Sequence, residues 1–168
     1  MKTTDTTQRV VNVLSYGILI AMTAMIAYWI ITDSLEDIET IFIAIFLSAL
    51  MGANIVLSNR GRARLAAWLV IGLLLALNAA NIIWYGIGTT STAALLIPIT
   101  AAVIGLGARE GSLVTLISLV VVWGTVLAAD AGQLTTEIPY QVSNLTFDAP
   151  MLTILFVFMA FLTAQAKR

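Results

Sequence analysis

The sequence predicts an all-α polytopic membrane protein of six transmembrane helices with both termini in the cytoplasm. Three observations predict it: long uncharged apolar runs, too little charge to cover a soluble surface, and basic residues that fall on alternate connections only. Of the 168 residues, 60% are hydrophobic and 10% charged, against roughly 25% charged in a soluble domain. Mean hydropathy is +1.01. One transmembrane domain spanning residues 1–168 is the expectation.

A spanning helix needs about 20 apolar residues, with a range near 17–25. The first run, 10–32, is too long for a signal peptide and is followed by acidic DSLEDIE rather than a small-residue cleavage site. The second, 40–57, carries the pairs Ser48/Gly52 and Ala49/Ala53, a small-xxx-small spacing that predicts close helix contact. The third, 65–85, follows SNRGRARL and ends at Trp84-Tyr85, residues suited to the membrane interface. The fourth, 93–107, is short; it spans only if outer Thr/Ser residues are counted, and is otherwise partly re-entrant. Pro98 removes one backbone hydrogen bond there and predicts a kink over 94–98, while Gly105 and Gly107 allow close packing or a bend near its inner end. The fifth run is 113–129. A 19-residue connection, DAGQLTTEIPYQVSNLTFD, follows it. That exceeds the usual helix connection, and TTEIPYQV suits a short extended piece or a cap over the bundle mouth. The sixth run is 149–163.

Charge orients the six. All eight basic residues (Lys2, Arg9, Arg60, Arg62, Arg64, Arg109, Lys167 and Arg168) lie on one side of this alternation. Asp33, Glu36, Asp37, Glu39, Asp130, Glu137 and Asp148 lie on the other, without Lys or Arg. The positive-inside rule then places both termini in the cytoplasm. A five-span alternation would split the basic clusters across the bilayer.

Composition also excludes chemistry. With no cysteine and no histidine, thiolate catalysis, disulfides, His-held haem and the common zinc sites are out. The runs hold no Lys, Arg, Asp or Glu between their ends, against a pump, a proton-coupled carrier or a voltage sensor. The two halves show no internal repeat of the transporter kind. No phosphate loop, paired intramembrane carboxylates or nucleophile–base pair is present, so no enzyme, no cofactor and no nucleic-acid partner is expected. Asp130, Glu137 and Asp148 lack the dense spacing of a calcium loop.

The candidate recognition residues cluster at NIIWYGIGTTSTAALLIPIT, residues 81–100. Asn78, Asn81 and Tyr85 stand at i, i+3 and i+7 on one face of the third segment, with Trp84 beside them and Thr89, Thr90 and Ser91 in the turn that follows. They read either as the polar rim of a ligand cavity or as interhelical bonding worth about 1 kcal/mol with interfacial anchors. Met22, Met25, Tyr28 and Trp29 form a soft stripe on the first segment, fit for cavity lining or for packing. Arg60, Arg62, Arg64, Arg109, Lys167 and Arg168 set topology, and attract anionic lipid headgroups at about 1 kcal/mol each.

The run NRGRARLAAWLV, the uncharged turn WYGIGTTSTAALLIP, the inner turn GLGAREGSL and a long outer loop with GQL…P resemble the six-helix N-terminal membrane modules of bacterial sensor histidine kinases and diguanylate cyclases, the membrane-associated-sensor type. The likeness covers roughly residues 55–168 and supplies no ligand residues. In such modules the last span continues into a cytoplasmic signalling helix and then PAS, GAF, kinase or cyclase domains. Here the chain stops at Gln165-Ala166-Lys167-Arg168, so the resemblance implies an excised input module or a free-standing relative acting through a partner. The leading expectation is a non-catalytic sensor in the bacterial cytoplasmic membrane, responding to an apolar or neutral ligand or to membrane state. Its expected partners are lipids, a cytoplasmic signalling domain or protein after Arg168, and a second copy or a larger complex. An accessory subunit of a respiratory or photosynthetic complex is the alternative, and a small carrier of neutral solutes a weaker one.

Overall fold

A chain whose side chains meet lipid must satisfy its backbone hydrogen bonds within each segment. The computed structural model obeys this: it is 89% helix, with no strand among the described residues, which are 2–31, 38–87 and 90–166. In order come α1 (Lys2–Ile31), α2 (Ile38–Leu57), a wide turn (Ser58–Arg62), α3 (Ala63–Tyr85), α4 (Thr90–Ala94), α5 (Leu96–Gly105), α6 (Ala108–Asp130), a second wide turn (Asn144–Asp148) and α7 (Ala149–Ala166).

Four helices are long and apolar enough to cross a membrane: Thr6–Ile31, Ile41–Tyr85, Ala108–Asp130 and Asn144–Gln165. The second has 45 residues, about 68 Å if it were straight, and it holds α2 and α3 joined through the turn at Gly61. There φ is +82°, a left-handed value glycine adopts without strain. The fourth apolar run is not one helix. It divides at Leu95 into α4 and α5, because Pro98 has no N–H to give the carbonyl of Ala94. The apolar stretch Thr92–Gly105 is about 21 Å long at the helical rise, short of a hydrocarbon core of about 30 Å.

Their surface is the reverse of a soluble protein's. Ile20, Ile30, Phe42, Phe46, Val120, Ile154 and Phe161 are exposed, while Ser15, Asn54, Ser118 and Thr125 are buried. Leucine, isoleucine and phenylalanine facing outward all along these helices fit a hydrocarbon surrounding.

The chain forms two packing units, Met1–Val70 and Ile71–Arg168. In the first, α1 lies against α2 around Val11, Ala44, Leu47, Met51 and Ile55. A polar seam runs through that contact. Gln8 Nε2 donates to Asn59 Oδ1 at 3.1 Å, Asn12 Nδ2 to the same oxygen at 3.4 Å, and Asn54 Nδ2 to Ser15 Oγ at 3.1 Å. Gln8, Asn12 and Ser15 fall at i, i+4 and i+7, one face of α1. Such bonds in a membrane contribute about 0.6–2 kcal/mol each. The small-residue pairs of the second run do not make the contact expected of them: a Cβ on Gly52 would meet nothing within 4 Å, and Ala49 and Ala53 are exposed.

In the second unit, α5 packs on α6 and α7, and α6 on α7, around Ile99, Val103, Val114, Val122 and Phe156. Glycine permits a close approach between α5 and α6. A Cβ on Gly111 of α6 would lie 2.1 Å from Val103 Cγ2 and 3.1 Å from Val103 Cα. Val103 is stiff about χ1, so the helices themselves would have to part. Farther along, Trp123 Nε1 donates to Thr153 Oγ1 at 2.9 Å, tying α6 to α7.

Gly111→Ala is therefore expected to destabilise the second unit by about 1–3 kcal/mol and to lower the unfolding temperature in detergent. Adding Val103→Ala restores most of the loss, and Gly52→Ala, with open space around it, does not lower the unfolding temperature.

Candidate functional site

Asn78, Asn81, Trp84 and Tyr85 lie on α3. Asn78 Nδ2 donates to the Leu74 carbonyl of its own helix at 2.7 Å. Asn81 is exposed, as are Trp84 (70%) and Tyr85 (41%), which suits interfacial anchors. Thr90 and Ser91 belong to α4; Thr89 lies outside the described residues, as do Lys167 and Arg168.

What closes the end of α3 is the long connection after α6. The amides of Glu137 and Ile138 donate to the carbonyls of Trp84 and Tyr85 at 3.0 and 3.2 Å, filling helix-end acceptors that have no partner within the helix. Gly86, at φ +91°, lets this strap approach: a Cβ there would stand 3.2 Å from Thr136 Oγ1 and 3.4 Å from the Ile138 carbonyl. The strap is fastened at its other end too. The amides of Gln133 and Leu134 donate to the Ala128 carbonyl, Tyr140 Oη donates to Asp130 Oδ1 at 2.8 Å, and Asn144 Nδ2 to Asp148 Oδ2 at 2.8 Å. Between strap and helices, a cavity of about 10 Å³ remains, lined by Gly86, Ile87, Thr125, Val126 and Tyr140 among others. That is room for one water at most.

A larger opening lies at the other end of the same unit. A groove of about 410 Å³ runs between α5, α6 and α7, within the size range of small-molecule and cofactor sites. On α6, Ala108, Ser112, Thr115 and Leu119 line it, and on α7, Val157, Ala160 and Ala164, with Val103 of α5 behind. Small side chains every third or fourth residue on two facing helices leave this space. Its hydroxyls are already committed: Ser112 Oγ donates to the Ala108 carbonyl at 2.9 Å and Thr115 Oγ1 to that of Gly111 at 2.8 Å. The walls are thus mostly apolar. One turn beyond Leu119 and Val157, the Trp123–Thr153 bond marks the far end.

Arg109 is exposed next to Ala108, which lines the groove. Its neighbour Glu110 folds back over the start of α6, with Oε2 3.2 Å from where a Cβ on Gly107 would stand. In the first unit Arg60, Arg62 and Arg64 are exposed around the α2–α3 turn. A 250 Å³ apolar cavity there is lined by Leu50, Met51, Leu57, Leu69 and Asn54. Its polar residue, Asn54, is tied to Ser15. The sequence signal for the α6–α7 groove is a want of bulk rather than polarity: Ala108 and Ser112 stand four apart, and so do Ala160 and Ala164.

The strap yields two expectations. Gly86→Val forces a β-branched residue to positive φ, and the strain of about 1–3 kcal/mol should raise amide hydrogen exchange at Glu137 and Ile138 roughly 10- to 100-fold. Partial burial, then the hydrogen bond to Asp130 and its negative charge, raise the Tyr140 phenol above the ordinary value of 10.0. Because the folded-state value is the higher one, the Tyr140 anchor is fully present below pH 10.0 and is lost as pH climbs through the raised value. Tyr140→Phe accordingly removes a component above pH 10.0 from the ultraviolet phenolate titration.

Comparisons with protein families, with curated proteins and with solved structures find no match for this chain.

Proposed function

We propose that the chain is a non-catalytic input module of a bacterial cytoplasmic membrane with both termini inside, crossing it six times, the fourth by the short α4–α5 segment with local thinning of the bilayer. Its groove between α5, α6 and α7 registers an apolar ligand or the state of the bilayer. The observation that carries this reading is that α7 forms one wall of that groove, so an occupant that fits one packing of α6 and α7 better than another shifts the position of α7. A ligand moves such an equilibrium only through its differential affinity for the two packings. From the inner end of α7 the displacement passes to a cytoplasmic signalling domain or partner.

Several features support the orientation. Within the first unit, the Gln8–Asn59 bond places Arg9 and the α2–α3 arginines at one end. Within the second, Ala108 and Ala164 line the same groove, which sets Arg109 at the end where α7 finishes. Asp130, Glu137 and Asp148 occupy the opposite end of that unit, with the strap.

The absence of cysteine makes orientation directly measurable. A membrane-impermeant maleimide should label Thr135→Cys in intact cells, and Arg60→Cys only after permeabilisation. Sensing is read by fusing a histidine kinase domain after Arg168 and varying bilayer composition. Output should vary in the native sequence and be fixed at one level by Ala160→Leu, which fills the groove. Output indifferent to both changes would overturn the reading. Recovery from native membranes in fixed stoichiometry with a large complex would replace it by an accessory subunit.

A further inference from the structure

We infer that the contact between α1 and α2 is built around one buried water molecule, held by Asn12, Asn54 and Ser58. The site lies wholly in the first packing unit, so it rests neither on the groove between α5, α6 and α7 nor on a sensing role.

Three polar atoms carry the inference. Asn12 Oδ1, Asn54 Oδ1 and Ser58 Oγ are shut off from the surface and take part in no hydrogen bond among the described residues. Asn54 is 2% exposed and Ser58 0%. Unpaired, each costs free energy, and hydrocarbon around the helices offers no bulk water to relieve it.

Position brings the three together. Asn54 and Ser58 stand four apart, at the end of α2 and the start of the wide turn, and so lie one above the other. Asn12 and Ser15 stand three apart on the facing side of α1. The bonds Asn54–Ser15 and Asn12–Asn59 set Asn12 across from Ser58, one turn from Asn54. Those two bonds also limit the size of an occupant. At 3.1 and 3.4 Å they hold the facing side chains in direct contact at both ends of the site. Val11, Met51 and Ile55 are buried around it, which leaves a place for one heavy atom.

Donors and acceptors then name it. Asn54 Nδ2 is spent on Ser15 and Asn12 Nδ2 on Asn59. What remains is two amide oxygens, which only accept, and one hydroxyl, which can donate. A water gives its two protons to Asn12 Oδ1 and Asn54 Oδ1 and accepts the proton of Ser58. About three bonds are usual for a buried water. A metal cation would suit the amide oxygens, but Asn12, Ser15, Asn54 and Ser58 offer it no negative charge, and a buried charge without a counter-charge is costly. Gln8 and the exposed Asn59 continue the polar file to the end of the helix pair, a path by which the water exchanges with solvent.

The test is water-edited solid-state NMR on the full chain, isotope-labelled, in deuterated phosphatidylcholine bilayers. Magnetisation that starts on water should reach Asn54 Cγ as early as it reaches Asn59 Cγ in the exposed turn, and should reach Ser118 Cβ late. Ser118 is buried too, but it is bonded to its own helix and reports a dry interior. Ser58→Val removes the hydroxyl and puts a methyl group in the water's place, so the early signal at Asn54 should be lost while that at Asn59 stays. Asn12→Leu, on the other helix, should do the same. Late arrival at Asn54 in the native protein would overturn the inference, as would early arrival that survives both substitutions. Early arrival abolished by sodium chloride and not by choline chloride would overturn it too, by showing a cation in the same place. No signalling output enters this measurement, so the water site and the sensor reading stand or fall separately.

Discussion

Helices immersed in hydrocarbon gain nothing by hiding leucine from a solvent as apolar as leucine. Every association between these helices must therefore come from close packing or from hydrogen bonds, and the structure uses both at separate places. Gly111 brings α6 onto Val103 of α5 with no room for a methyl group between them. Trp123 and Thr153 bind α6 to α7. Asn54 and Ser15, with Gln8 and Asn12 on Asn59, do the same for α1 and α2. The remaining large side chains, among them Ile20, Phe42, Val120 and Phe161, face outward and contribute to solubility in lipid rather than to assembly.

That constraint explains what was legible in the sequence. Apolar runs are set by the thickness of the bilayer, so 40–57 and 65–85 were readable to within two residues of α2 and α3. Pro98 was readable because a missing N–H acts on one carbonyl four residues back; the helix divides at Leu95, inside the stretch 94–98. The start of α1 was less so. Polar KTTDTTQR continues the helix back to Lys2, where hydropathy alone has no reason to look.

Pairwise relations were the harder part. Gly52 and Gly111 carry the same letter, yet one faces open space and the other has no room for a methyl group against Val103; only the facing helix decides which. Asn78 and Asn81 drew notice because they are polar, whereas the α6–α7 groove arises from Ala108, Ser112, Ala160 and Ala164, residues that any transmembrane helix contains. The strap over Gly86 was half visible. Its length and alternating character suggested a cap, but its attachment to the Trp84 and Tyr85 carbonyls depends on backbone groups that sequence does not distinguish.

The bond between Trp123 and Thr153 has a mechanical meaning as well. It is the one side-chain hydrogen bond between α6 and α7 among the described residues, since Ser112, Thr115, Ser118 and Thr163 all bond to their own backbone. A helix fastened to its neighbour at one point and smooth elsewhere behaves as a lever with a fulcrum. From Thr153 to Ala164 the arm is about 16 Å, so a tilt of about 5° carries the far end about 1.4 Å sideways without breaking a bond to α6. The same tilt would move residues near Thr153 hardly at all, and would concentrate movement at the Ala164 end of the groove.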